Sequence, residues 1–110
     1  MKIDKETKLD VNSYMIGHFT NKGTIGYLYF KLFIEVCYEK YKELGYIPNY
    51  TIPELVKLAE VDITAQGCQR SLNYFFKVEG LTDNISDILI DTTEKVIEAT
   101  RPKIIEEDEF

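Results

Sequence analysis

The run GTIGYLYFKLFIEVCYEKY, residues 23–41, constrains the fold more than any other stretch, because two periodicities compete within it. At a period of two, Leu28, Phe30, Leu32, Ile34 and Val36 would line one face of a half-buried strand. At helical steps of three and four, Tyr27, Phe30, Ile34, Cys37, Tyr41 and Leu44 fall together. Periodicity alone does not choose between them. Length does, since no turn signal interrupts the run before Gly45, whereas an ordinary strand has about 5–6 residues. The helix formers of YEKYKELG and the glycine stop agree. One helix over roughly 24–44 is expected.

The remaining segments read as shorter helices. A first helix over roughly 8–19 would turn Leu9, Tyr14, Met15 and Phe19 inward, and TNKGTIG breaks it. GYIPNY is a turn, in which Pro48 biases Ile47 away from helical angles. Thr51 and Glu54 stand at capping-box spacing with Pro53 in the first turn, so a helix starts there. Leu55, Leu58 and Ala59 form its buried face. Asp62 or Thr64 is placed to cap the next helix, AQGCQRSLNYFFKVE, which buries Cys68, Leu72, Phe75 and Phe76 and stops at Gly80. A last helix over roughly 84–99 points Ile85, Ile88, Leu89, Val96 and Ala99 inward, and Pro102 closes it. The expectation is an all-α fold, a compact bundle of about five helices, with one domain over 1–101 and an acidic tail over 102–110.

Composition narrows the function classes. A chain of 110 residues, 45% hydrophobic and 29% charged, is long enough for a core without staples. Its charged start, MKIDKETK, lacks the apolar core of an export signal, and no stretch reaches the ~20 apolar residues of a membrane span. A cytoplasmic protein is expected. Cys37 and Cys68 lie inside apolar-periodic segments and read as core thiols. The net charge of −6 belongs to residues 83–110, which hold nine acids against Lys95, Arg101 and Lys103. The rest is neutral.

Two short helices joined by a turn over 51–79 have the layout of a helix-turn-helix. Such a motif needs amide and guanidinium side chains on its second helix, because Asn or Gln pairs bidentately with adenine and Arg with guanine or a phosphate. Gln66, Gln69, Arg70 and Asn73 are the right types, with Lys77 on the same outward side. Gly67 allows either close backbone approach to DNA or tight packing against the preceding helix. Residues 51–79 have a net charge of −1. Phosphate neutralisation supplies most nonspecific affinity. Double-stranded DNA as partner therefore calls for a homodimer, or for supporting lysines such as Lys22 and Lys31.

The stretches GYLYFKLFI at 26–34, LG at 44–45 and IPELVKLAEVDITAQGCQRSLNYFFKVEG at 52–80 resemble the C-terminal DNA-binding effector domain of the stage-zero sporulation response regulator. The resemblance covers about residues 10–95. It implies an all-α, DNA-binding transcription regulator, here without a receiver domain. By position, Arg70 matches an arginine of the family's recognition helix, Gln69 replaces an acidic residue and Tyr74 a histidine. Gly67 stands where the family has a base-reading arginine, and Asn73 replaces another basic residue. The turn is about two residues longer. These departures define a second expectation, an interaction module or inhibitor on the same scaffold that has lost base reading and meets a basic protein through its acidic last helix.

Other conspicuous residues read as structural. His18, the sole histidine, is expected at a helix end, which rules out a two-histidine metal site within one chain. The carboxylates Asp83, Asp87, Asp91, Glu94 and Glu98 recur at three- and four-residue steps as a solvated face, since carboxylates along one helix do not enclose an ion. Tyr27, Tyr29, Phe30, Phe33, Tyr38 and Tyr41 read as core at helical spacing. No glycine loop, metal cluster or nucleophile constellation points to an enzyme, and no cofactor or catalytic residue is expected.

Overall fold

A computed structural model describes residues 1–100, and each helix in it begins or ends where local chemistry dictates. In chain order these are α1 (Lys5–Ile16), α2 (Ile25–Leu44), α3 (Ile52–Ala59), α4 (Ala65–Glu79) and α5 (Ile85–Thr100). No strand occurs among the described residues. Thr24 opens α2 by accepting from the Tyr27 amide at 3.2 Å, and Gly45 closes it at φ 87°, donating to the Tyr41 carbonyl at 2.8 Å. Only a residue without Cβ adopts that left-handed angle at little cost. The capping box at α3 is formed in both directions: Thr51 N donates to Glu54 Oε1 at 2.8 Å and Glu54 N to Thr51 Oγ1 at 3.3 Å. Thr64, rather than Asp62, caps α4 through the Gly67 amide at 3.0 Å. Asn84 caps α5, accepting from Asp87 N at 2.8 Å. The expected tail at 102–110, with Pro102, lies outside the described residues.

The long run is one helix, and it is the centre of the molecule. α2 touches all four other helices, and its most extensive partner is α4. Phe30, Phe33, Ile34, Val36 and Cys37 are buried, while Leu28, which a period of two would put on the same face as Phe30, is 50% exposed. An aromatic layer fills the α2–α4 seam. Phe30 meets Phe76 edge to face at 5.2 Å between ring centroids and lies 5.6 Å from both Phe19 and Phe75. Such pairs contribute about 0.5–1.5 kcal/mol beyond area burial. Both thiols are free and buried, and burial pushes each up to about 11, with a Thr93 hydrogen bond opposing this at Cys37. They are inert core groups.

Several expected core positions differ. α1 runs Lys5–Ile16, so Phe19 lies beyond it and Leu9 is 60% exposed. Thr7 and Val11 are buried in its place, because the Thr7 hydroxyl donates to Glu39 Oε1 at 2.5 Å and turns that face inward. At the end of α5, Ala99 is exposed and Ile97 is buried. Leu44, in the last turn of α2, is also exposed.

The crossing of α2 and α4 is set by Gly26. A Cβ there would lie 2.2 Å from the Ser71 carbonyl oxygen and 2.8 Å from Phe75 Cβ, closer than atoms approach. Gly26→Ala should therefore lower stability by about 1–3 kcal/mol through overpacking, despite the ~1 kcal/mol that alanine gains over glycine inside a helix. Urea denaturation measures this. Gly23→Ala is the control, since its Cβ would meet nothing within 4 Å.

Candidate nucleic-acid interface

Residues 60–64 join α3 to α4. Glu60 takes φ 57° and ψ 42°, the left-handed cap otherwise left to glycine, and its amide donates to Lys57 and Val56 carbonyls. The strained position turns the chain sharply, and Thr64 then starts α4. Helical geometry distributes the candidate residues around the outside of α4 at about 100° per residue. Gln66, Gln69, Arg70, Asn73 and Lys77 are all exposed, and Gly67 is half-buried. The five side chains share the side opposite Cys68, Leu72 and Phe75.

They are not one compact set. Gln69 lies at one edge, lining a shallow cleft with Asn49, Tyr50, Thr51 and Ile85 from the starts of α3 and α5. Arg70 lies at the other edge, in a cleft with Thr24 and Ile25 of α2 and Ser71 and Tyr74 of α4. Gln66, Asn73 and Lys77 occupy the ridge between. Gly67 does not pack on the preceding helix. A Cβ there would sit 3.1 Å from the Thr64 cap hydroxyl and 3.4 Å from Ile63 in the turn. Such a Cβ would make the cap hydroxyl give by a few tenths of an ångström.

Two exposed apolar residues of α4 escaped the sequence reading of this face, Tyr74 at 60% and Val78 at 40%. The four-residue spacing of Arg70, Tyr74 and Val78 was the available signal, because such residues form one row on a helix. Ile25, 54% exposed, borders that row from α2.

Charge sorts by segment. Residues 17–34 and 63–78, which include the first half of α2 and most of α4, contain no aspartate or glutamate and hold Lys22, Lys31, Arg70 and Lys77, with Asp62 and Glu79 flanking the second segment. All nineteen acids of the chain lie elsewhere. Of the two lysines expected to support α4, Lys31 turns away, its ammonium 3.4 Å from Asn12 Oδ1 on α1. Lys22 donates to the Phe19 carbonyl at 2.8 Å within the loop beside α4.

Glu79, at the end of α4, holds that loop. Its Oε2 accepts from Thr20 N at 2.8 Å, Thr20 Oγ1 at 3.0 Å, Asn21 N at 2.6 Å and Asn21 Nδ2 at 2.8 Å. The Asn21 amide also donates to the Val78 carbonyl at 3.3 Å. A carboxylate supplies acceptors without a competing donor, which suits two backbone N–H groups. Burial raises the carboxyl, but the bonds from Asn21 and Thr20 outweigh it and leave Glu79 below its ordinary value.

The other singled-out groups stay apart. His18 stacks on Tyr14 at 3.9 Å, with Nδ1 2.7 Å from the Tyr14 carbonyl oxygen. Asp87, Asp91, Glu94 and Glu98 are exposed along α5 and Asp83 just before it, with Asp91 paired to Lys95 at 3.1 Å. Among the described residues no three His, Cys, Asp or Glu groups assemble as a metal site requires, and no helix is long and apolar enough to cross a membrane. Comparisons with protein-family models, curated proteins and solved structures gave no match.

A depressed carboxyl contributes stability above its unfolded value, near 4.5, and loses it as pH falls through the folded value. Glu79→Gln should therefore melt below the wild type at neutral pH, and the two melting temperatures should converge as pH drops below 4.5. Thermal melts followed by circular dichroism check this. A constant gap across that range would show that the clamp does not depend on the ionised form.

Proposed function

We propose that this chain is a DNA-binding transcription regulator of the cytoplasm, a helix-turn-helix in which α3 braces the duplex and α4 enters the major groove. The observation that carries the reading is the outward face of α4, where Gln66, Gln69, Arg70, Asn73 and Lys77 are all exposed. Carboxylates repel a polyanion within a Debye length of about 8–10 Å; residues 65–78 of α4 bear none, and the nearest in the chain are Asp62 in the preceding turn and Glu79 at the end of the helix. Arg70 and Lys77 supply charge there, and Gln66, Gln69 and Asn73 supply the amides that adenine edges accept. The likeness of residues 10–95 to the sporulation-effector family supports the same reading. Gly67 and Asn73 remove two of that family's cations, so the target sequence differs and affinity rests on few phosphate contacts. Paired copies on adjacent half-sites would multiply them.

The exposed carboxylate row of α5 favours a second reading, an interaction module that meets a basic partner through Asp83, Asp87, Asp91, Glu94 and Glu98. Base reading would then be absent and α4 incidental.

Fluorescence-anisotropy titrations at two salt concentrations separate the two. Arg70→Ala should weaken binding and lower the salt slope by about one if its contact is a phosphate. Asn73→Ala or Gln66→Ala should cost about 1–3 kcal/mol on a preferred site and much less on unrelated DNA. Glu94→Gln on α5 should change neither. A wild-type chain that binds no duplex at low salt would overturn the DNA reading and leave the acidic face of α5 as the working surface.

A further inference from the structure

A cavity of about 230 Å³ lies between the end of α1, the loop that follows it, the loop after α4 and the first half of α5, and the proposed reading of DNA does not use it. Its interior is apolar, with Ile88 buried and Phe19 and Leu81 half-buried. Its rim is polar, with His18, Asp83, Asp91 and Lys95 exposed. Each wall is pinned. Phe19 packs on Phe30 and Phe75 at 5.6 and 5.9 Å between ring centroids. The Leu81 amide donates to the Phe76 carbonyl at 2.8 Å, and His18 stacks flat on Tyr14. A concavity with such walls stands ready before a ligand arrives, which is how small-molecule sites are built.

One buried group opens on it without a partner. In α5 the hydroxyls of Thr93 and Thr100 donate to the Leu89 and Val96 carbonyls. That of Thr92, a residue only 6% exposed, meets no donor or acceptor among the described residues. No fully enclosed side-chain polar atom among them lacks a partner, so the Thr92 hydroxyl faces the cavity it lines. A polar group buried this far is nearly always hydrogen-bonded, and here only water or a ligand can supply the bond.

The rim selects the sign of that ligand. Asp91 is paired with Lys95 at 3.1 Å, and Asp83 has no ion pair among the described residues, which leaves one carboxylate in excess. His18 Nδ1 lies 2.7 Å from the Tyr14 carbonyl oxygen and donates to it, so Nε2 of the neutral ring is an acceptor. The cavity therefore offers acceptors from Asp83, His18 and Thr92. An ammonium brings three donors and no acceptor, whereas an anion would meet Asp83. The volume falls below the roughly 300–1,000 Å³ of drug-sized sites, which suits a single ring or a short branched chain. We propose that this cavity binds a small apolar primary amine as its ammonium, with the apolar body against Phe19, Leu81 and Ile88 and the charge among Asp83, His18 and Thr92.

Calorimetric titration of the full chain with phenethylamine at neutral pH tests this. Saturable binding is expected, weakened about tenfold by Asp83→Asn and by Thr92→Val, because each removes an acceptor from a charged donor. Phenethyl alcohol and hydrocinnamate, the neutral and anionic counterparts, should bind much less well. Glu94→Gln removes the same charge from α5 outside the cavity and should leave the affinity unchanged. Asp83 is exposed and valine has the shape of threonine, so both variants should melt with the wild type. If Thr92→Val melts early, Asp83→Asn decides alone. No saturable binding by about 5 mM amine, equal binding of the alcohol or the acid, or unweakened binding by Asp83→Asn would overturn the proposal. The titration involves no DNA, so a chain that binds no duplex leaves its outcome standing.

Discussion

The contact between Gly26 and the Ser71 carbonyl sets how closely α2 and α4 approach, and most other features follow from that distance. With no Cβ at position 26 the backbones meet directly, and the rings of Phe30, Phe75 and Phe76 close over the seam within 5.2–5.8 Å of one another. A wider crossing would leave voids in an aromatic layer, and interiors packed to crystal-like density tolerate few of these. With α4 fixed on α2, its row from Arg70 to Val78 is left outward. Glu79 then ties the loop before α2 to the end of α4. Thus one glycine and one carboxylate fix how α4 is held on α2 and on the loop before it.

Electrostatics works on this frame by omission. The molecule is acidic as a whole, yet the first half of α2 and residues 65–78 of α4 hold no carboxylate. Four cations among residues 17–34 and 63–78 do not make a strongly positive surface, and Lys31 is turned toward α1. On the proposed function, affinity would come from matched contacts of Gln66, Gln69 and Asn73 to base edges.

Local chemistry was legible in the sequence, and geometry between distant segments was not. The all-helical fold, the capping box of Thr51 and Glu54, the stop at Gly80 and the buried face of Cys68, Leu72, Phe75 and Phe76 depend on neighbours within a few residues. The outward placement of Gln66, Gln69, Arg70, Asn73 and Lys77 follows from that same buried face. Leu44 and Ala99 were misjudged because apolar residues near helix ends satisfy the period without meeting a partner, and Leu9 because α1 buries the face of Thr7, Val11 and Met15 instead. Thr7 and Thr93 were overlooked because threonine reads as polar. Thr93 is buried with its hydroxyl bonded to the Leu89 carbonyl at 2.8 Å, so burial leaves it satisfied. Glu35 is buried on α2, where burial raises its carboxyl and Lys31 and Lys8 oppose that rise. Gly26 looked like one glycine in a long helix, and only the crossing reveals its role. For the same reason Ile25 and Tyr74, far apart in sequence, gave no sign of sharing a cleft.

A selection from random-sequence duplexes, carried out with the purified chain at low salt, tests the central claim most directly, because it presupposes no operator. The account predicts enrichment of a short motif, adenine-containing at the positions opposite the amide side chains, and loss of that enrichment when Asn73 is replaced by alanine. Recovery of sequences no different from the input pool, or a motif that persists unchanged without Asn73, would contradict the assignment of α4 as the reading helix.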